Sequence, residues 1–333
     1  MVRHYAALIW TLVNLPQLCL GQDPQLSQFQ ASPLYLNPAL TGNTLQDRLI
    51  ANYRMQWAVV PNGFQTYAVS YDHRAAALNS GFGGMIMRDR AGTHGLAFTQ
   101  ASFSYAYEAR IDRTHAFRGG IRAGYTIRDY DPGNLLFADQ VIRDGAPTSI
   151  EPSMIERVTY ADLSAGLLYF SEQFWAGIST SHLNRPQQTL YIGGDARLPM
   201  RTSVHGGYRF AMDGRHFSKS KTQATFCLHY KAQGKWDQLD LGAYIDHQGL
   251  SGGIWYRGLP GIKAYQPGYP NNDALVFLIG YETSTQLQVA YSYDVTVSWL
   301  TARSGGAHEL SLIYEWPKRQ KARKYKVVPC PKF

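Results

Sequence analysis

Apolar and polar residues alternate with a period of two through most of this chain, and that pattern constrains the fold more than any motif does. Leu49, Ala51, Tyr53, Met55 and Trp57 face one way while Asn52, Arg54 and Gln56 face the other. Tyr67, Val69 and Tyr71 oppose Thr66, Ser70 and Asp72; Leu163, Ala165, Leu167 and Tyr169 oppose Asp162, Ser164 and Gly166; Leu287, Val289, Tyr291 and Tyr293 oppose Gln288, Ser292 and Asp294. The same rhythm runs through 80–88, 95–108, 116–128, 174–182, 198–210, 223–233, 236–245, 248–256, 274–282 and 307–316, which predicts fourteen strands.

Alternation arises equally in a soluble sandwich, where a second sheet covers the apolar face, and in a membrane barrel, where lipid does. Three features favour the barrel. Aromatics gather near strand ends, at Tyr53, Trp57, Tyr107, Tyr169, Trp175, Trp255, Tyr256, Tyr314 and Trp316, as interfacial girdles require. The polar faces carry Arg54, Arg122 and Arg209, which suits a wet lumen better than a dry interior. Connections alternate in length, and the three longest, 129–160, 183–197 and 257–273, fall on one side, with Ala211 to Thr222 the one long link on the other. The fold expected is an all-β, antiparallel up-and-down transmembrane barrel of about 14 strands with an N-terminal preamble and a basic C-terminal tail. No mature apolar run reaches eighteen residues, which excludes a helical membrane bundle.

Tyr5 to Leu20 is apolar, follows Arg3 and His4, and ends with Cys19 and Gly21 at the two positions a signal peptidase reads, so residues 1–21 are expected to be a signal peptide and Gln22 the mature start. Residues 22–47 form a preamble in which three prolines interleave with Phe29, Leu34, Tyr35 and Leu36; it is expected to dock on the inner, periplasmic mouth of the barrel at 48–316. Of the formal net charge of +8, the tail 317–333 holds seven cations and no acid, including Lys318, Arg319, Arg323 and Lys324. A nucleic-acid binder would spread its basic residues over an aromatic-laced face, which this tail does not do, so no nucleic-acid partner is expected. Two mature cysteines, Cys227 and Cys330, build neither a disulfide framework nor a metal cage.

Catalytic motifs are weak. Gly249-Leu250-Ser251-Gly252-Gly253 matches a nucleophile elbow, but strand pattern lies on both sides where a helix should follow. The ten histidines lack zinc-protease spacing, and Gly81-Phe82-Gly83-Gly84 opens no helix that could cradle a phosphate. Neither enzyme activity nor a cofactor is expected.

The preamble together with Asn52-Tyr53-Arg54-Met55-Gln56-Trp57, Tyr67–Asp72, Ser181–Gln188, Leu250–Gly258, Tyr291–Asp294, Ser304–Leu312 and Pro329–Phe333 resembles the PorP/SprF family of type IX secretion outer-membrane proteins. The resemblance covers nearly the whole mature chain, except Asp129–Thr159. It implies a non-enzymatic outer-membrane protein of the secretion and gliding apparatus that helps export or anchor a secreted adhesin bearing a C-terminal sorting domain. Outer-membrane lipid, that domain, and periplasmic and outer-membrane subunits of the system are the expected partners. His182, Asn184, Arg185, Gln187, Trp255, Tyr256 and Arg257 are expected to contact the adhesin at the extracellular rim. Phe29, Tyr35, Lys318, Arg319, Arg323 and Lys324 are expected to meet periplasmic subunits, and Arg54, Arg122 and Arg209 to face the lumen. The rival expectation is a passive porin whose lumenal arginines favour anions.

Overall fold

The computed structural model describes residues 23–317 apart from 93–94, 113, 132–137, 146–155, 214–220, 260–263, 267–268 and 299–303. The expected signal peptide, nearly all of the basic tail and Cys330 therefore lie outside the described residues. The strands are β1 (Asp47–Gln56), β2 (Phe64–Ala75), β3 (Ser80–Ala91), β4 (Leu96–Arg110), β5 (Ala116–Asp129), β6 (Arg157–Phe170), β7 (Phe174–Ser181), β8 (Arg201–Ala211), β9 (Thr222–Gln233), β10 (Trp236–His247), β11 (Leu250–Gly258), β12 (Ala264–Gln266), β13 (Tyr269–Pro270), β14 (Asn272–Glu282), β15 (Leu287–Thr296) and β16 (Ala307–Glu315). β12 and β13 pair only with each other, inside the 257–273 connection, where no strand was expected.

The other fourteen pair antiparallel in chain order, and β1 closes the cylinder on β16, in register from Arg48 with Glu315 to Gln56 with Ala307. Closure leaves no sheet edge, the condition for a sheet to cross hydrocarbon. All fourteen segments of periodic sequence become these strands, with ends shifted by local chemistry. β11 starts at Leu250 because Gln248 and Gly249 both take positive φ and make a two-residue hairpin turn between His247 and Leu250. β8 starts at Arg201, two residues beyond Pro199, which cannot donate to a ladder.

Exposure along the strands is the reverse of a soluble protein's. Ile86 is 63% exposed, Ile121 61% and Leu167 61%, while Asp72 is fully buried and Glu309 and Arg54 are 1% and 2% exposed. Each outward apolar side chain left in water would forfeit roughly 1.5–3 kcal/mol, so only lipid makes this surface stable. Aromatic pairs stand at both rims: Trp57 against Phe64 at one, Tyr71 and Tyr314 against Trp316 at the other. Two expected girdle residues do not belong there. Trp175 and Trp255 point inward, each beside a cross-strand glycine, Gly207 and Gly242, whose missing Cβ leaves room for the indole.

The connections 129–157, 181–201 and 258–272 share one rim, called here the long-loop rim, with the shorter links 57–63, 92–95 and 234–235; the opposite rim, called the short-turn rim, carries the β2–β3, β4–β5, β6–β7, β8–β9, β10–β11 and β14–β15 links. The Ala211–Thr222 link stays on the short-turn side, where Met212 N–H bonds the Thr222 carbonyl.

Candidate functional site

What fills the barrel is its own N-terminal segment. Leu26, Phe29, Ala31, Leu34, Leu36, Ala39 and Leu40 are all buried, and they pack against inward residues of the wall that include Ile50, Met85, Leu168, Phe170 and Trp255. The prolines set the local shape: Pro33 and Pro38 each open a single helical turn at the position where the missing N–H costs nothing. Asn37 caps the second turn by accepting from Ala39 N–H at 2.9 Å and donates from its amide to the Leu167 and Ile178 carbonyls. Such irregular backbone needs wall positions without side chains. A Cβ at Gly81 would stand 2.1 Å from the Thr41 carbonyl, one at Gly120 2.4 Å from Pro38, and one at Gly166 2.0 Å from the Asn37 side chain.

Charged side chains fix the segment at both ends of the lumen. At the long-loop end Ser27 is clamped: its N–H donates to Glu309 at 2.6 Å, its hydroxyl donates to Asp294 at 2.6 Å, and it accepts from Arg54 and Arg257. Arg54 and Arg257 each pair with Asp294 at 2.9 Å, Arg54 reaches Glu309 at 3.3 Å, and Arg257 pairs with Asp240 at 2.8 Å. Nearby, Asp23 pairs with His182 at 2.7 Å and Arg201 at 2.9 Å, and the other ring nitrogen of His182 meets Asp162 at 2.8 Å. At the short-turn end Gly42 N–H donates to Asp72, itself bound by Arg48, and Arg118 donates to the Ala39 and Thr41 carbonyls. The chain thus enters beside β1 and runs the length of the lumen, so that Asp23 lies at the far end.

Burial lowers the His182 pKa, but the Asp23 charge and hydrogen bonds to Asp162 and Asp23 outweigh it and raise the group to about 9. Burial likewise pushes Asp23 upward, and the opposing His182 and Arg201 charges win, holding its carboxyl well below the usual range. The part of that rise owed to Asp23 stabilises docking at low pH and is lost as pH climbs through about 9, while the Asp162 bond stays with the wall whether or not the segment is docked. A depressed carboxylate acts above its free value near 4 and fails in stronger acid. Protease cleavage within 23–32 is therefore expected to be slowest between about pH 4 and 6.5 and to accelerate through pH 9; a rate independent of pH from 5 to 10 would contradict this lock.

A family model described as type IX secretion system membrane protein PorP/SprF matches residues 19–314. The chain belongs to the PorP/SprF family. As a membrane component of that system built as a closed barrel with an apolar exterior, this PorP/SprF protein resides in the outer membrane, among the components of that secretion system. No curated protein matches its sequence significantly. Among solved structures it is similar to the toluene transporter TodX of P. putida, at 9% identity and a TM-score of 0.48 over 84% of this chain and 92% of that one. It is also similar to the CymD monoaromatic hydrocarbon channel, at 12% identity and a TM-score of 0.47 over 87% and 94%.

The residues singled out from sequence divide three ways. Asn184, Arg185 and Gln187 stay at the long-loop rim: Asn184 bonds the Ala161 carbonyl and Leu163 N–H, Arg185 is exposed with φ +44°, and Gln187 Oε1 accepts from Ala196 N–H. Tyr256 faces outward and donates to Asn272. His182, Trp255 and Arg257 are corrected: they are 3%, 2% and 2% exposed and hold the segment from inside, Trp255 stacking edge-on against Phe29 with ring centres 5.1 Å apart. The inward side of the alternation, which Ser251 begins, puts Trp255 and Arg257 in the lumen while Tyr256 faces lipid. Phe29 and Tyr35 are likewise corrected from mouth to interior. Tyr35 donates to the Pro24 carbonyl and packs under Arg201, 4.4 Å from its guanidinium, and burial pushes its hydroxyl up to about 12. Lys318, Arg319, Arg323 and Lys324 lie outside the described residues.

Arg54, Arg122 and Arg209 point inward, but Arg54 is bound to Ser27, Asp294 and Glu309, and Arg122 donates to the Leu34 carbonyl. Neither borders a free anion path. The alternation placed Asp72, Asp162 and Asp294 on polar faces without pairing them to the arginines and did not single out Glu108, Asp240 and Glu309; all six occupy the inward side, and their balance with arginine was the available signal. Ser251 donates to Asp246 on the inward side of β11, within continuous strand, and no nucleophile elbow forms there. Among the described residues no cluster of His, Cys, Asp or Glu fits a metal ion.

Proposed function

We propose that this protein is a non-enzymatic scaffold of the type IX secretion apparatus that helps export or anchor a secreted adhesin with a C-terminal sorting domain, the long-loop rim being extracellular and forming the contact face. The observation that carries the reading is the self-filled lumen, which favours a holding role over passage through the barrel. Support also comes from the 183–200 connection, which is built and not slack: Gln188 N–H bonds the Ala196 carbonyl, Leu198 N–H bonds the Pro186 carbonyl, and the excursion lifts Tyr191 and Ile192 into the open at 47% and 58% exposure. Exposed aromatic and aliphatic side chains on a rigid base are the usual anchors of a protein contact.

Deleting 186–196 is expected to leave a barrel that still shifts on gels with heating while the adhesin disappears from the cell surface. Adhesin retained at its normal level would remove the rim from the account.

A further inference from the structure

β6 and β7 are unequal partners. β6 pairs along its whole length with β5, from Arg157 with Asp129 to Phe170 with Ala116, but with β7 only from Ala165 to Phe170. β7 stops at Ser181 because His182 takes φ +60° and turns inward to Asp23 and Asp162. β8 begins at the same level, with Arg201 opposite Ser181. Residues 157–164 of β6 therefore stand above the end of β7, with one flank toward the gap.

Successive strand residues bond opposite neighbours, so Leu163, Ala161, Thr159 and Arg157 all turn their backbone groups to that flank. The lower groups are met. Leu183 N–H donates to the Leu163 carbonyl at 2.9 Å, Leu163 N–H donates to Asn184 Oδ1 at 3.2 Å, and Asn184 Nδ2 donates to the Ala161 carbonyl at 2.7 Å. Above them, among the described residues, no backbone bond reaches Ala161 N–H, Thr159 N–H and C=O, or the Arg157 carbonyl. The outward residues pass from Leu167 and Leu163 to Thr159 and Arg157, so the flank opens where lipid gives way to water and the closed belt below is not breached.

Nothing blunts this edge: 157–163 holds no proline, its pairing to β5 has no bulge, and the outward side chains of Ala161 and Thr159 are small. Alternating donors and acceptors along one line match another extended backbone; a lipid phosphate accepts hydrogen bonds but offers no donors in return. An added strand would also set an inward side chain beside Tyr160, whose hydroxyl is buried and unbonded. Arg157 ends the flank and Arg185 follows Asn184, both exposed, which favours an acidic residue on the incoming strand.

We infer that the β6 flank from Arg157 to Ala161 receives an extended, acid-bearing strand of the secreted partner, added to the wall in line with β7 through backbone hydrogen bonds. The inference rests on the long-loop rim being the extracellular contact face, and it names what that face grips: main chain, next to the 183–200 connection.

Two measurements test it. In the full-length protein in detergent, the amides of Thr159 and Ala161 are expected to exchange with solvent at least about a hundredfold faster than those of Tyr160 and Asp162, which bond β5. Equal protection would mean that this chain covers the flank itself, and would overturn the inference. In cells, surface labelling follows the secreted protein that disappears when 186–196 is deleted. Thr159→Pro keeps every bond to β5 while removing the N–H that faces the gap, and is expected to lower the surface level of that protein at least about tenfold. Thr159→Val, which keeps the N–H, should stay within about twofold of the unaltered chain, and Arg157→Glu should lower the level severalfold. Ala161→Pro takes the place of Thr159→Pro if that barrel fails to shift on a heated gel. Retention by the proline variant overturns the added strand and leaves the rim reading standing, and so does equal loss from Thr159→Val. If every secreted protein survives deletion of 186–196, both fall.

Discussion

Arg54→Ala is expected to destabilise the docked segment by about 3–5 kcal/mol, the cost of removing one partner from a buried ion pair. The side chain is 2% exposed and serves three acceptors at once, the Ser27 hydroxyl, Asp294 and Glu309. Its loss leaves Asp294 to Arg257, which Asp240 already shares, and leaves Glu309 with the Ser27 and Gln28 N–H groups but no cation. Arg54→Lys should recover only part of the loss, because one ammonium cannot reproduce the forked contacts. Amide hydrogen exchange at Ser27 and Gln28 would read the effect as an increase of at least about a hundredfold, the kinetic equivalent of roughly 3 kcal/mol of local opening. Exchange within threefold of the unaltered protein would mean that Ser27 is held by packing alone.

Removal of the segment should have the second large effect. With residues 24–41 replaced by a glycine-serine linker of equal length, the barrel is expected to conduct ions across a planar bilayer at roughly ten times the intact protein's level or more, since the wall that remains is polar and wide enough for water. Arg54, Arg118 and Arg122 would then line the lumen together with Asp72, Asp294 and Glu309, several of them still paired across the wall, so the current should select only weakly between anions and cations. Equal conductance with and without the segment would mean that something else blocks the lumen. High conductance by the intact chain would return the passive porin to first place.

How much of this was legible in the sequence follows from which contacts are local. Strand number, face and order were readable because lipid and lumen meet alternate residues, so the pattern at Tyr67–Asp72 or Leu287–Asp294 states which side each residue faces. Strand ends followed turn chemistry, as at Gln248-Gly249. The path of residues 23–44 was not readable in the same way. Proline-set backbone has no period, and the partners of Ser27 are 27 to 282 residues away in sequence. A reader of the alternation could still have seen buried acids balancing arginines and glycines at inward positions, both of which imply that something besides water fills the centre. The strings at 181–188 and 250–258 misled because each was treated as one patch at a strand end. Within each, parity sends alternate side chains to opposite faces, and a backbone at φ +60° turns His182 inward under the rim.

The proposed function requires a barrel that holds proteins and does not pass solutes. Purifying the full-length chain from its own outer membranes in mild detergent, after brief cross-linking, and identifying what accompanies it tests that most directly. Type IX secretion subunits together with a secreted protein bearing a C-terminal sorting domain, cross-linked to residues between 183 and 200, is the predicted result. A chain recovered alone, with an ohmic current in lipid bilayers, would contradict it.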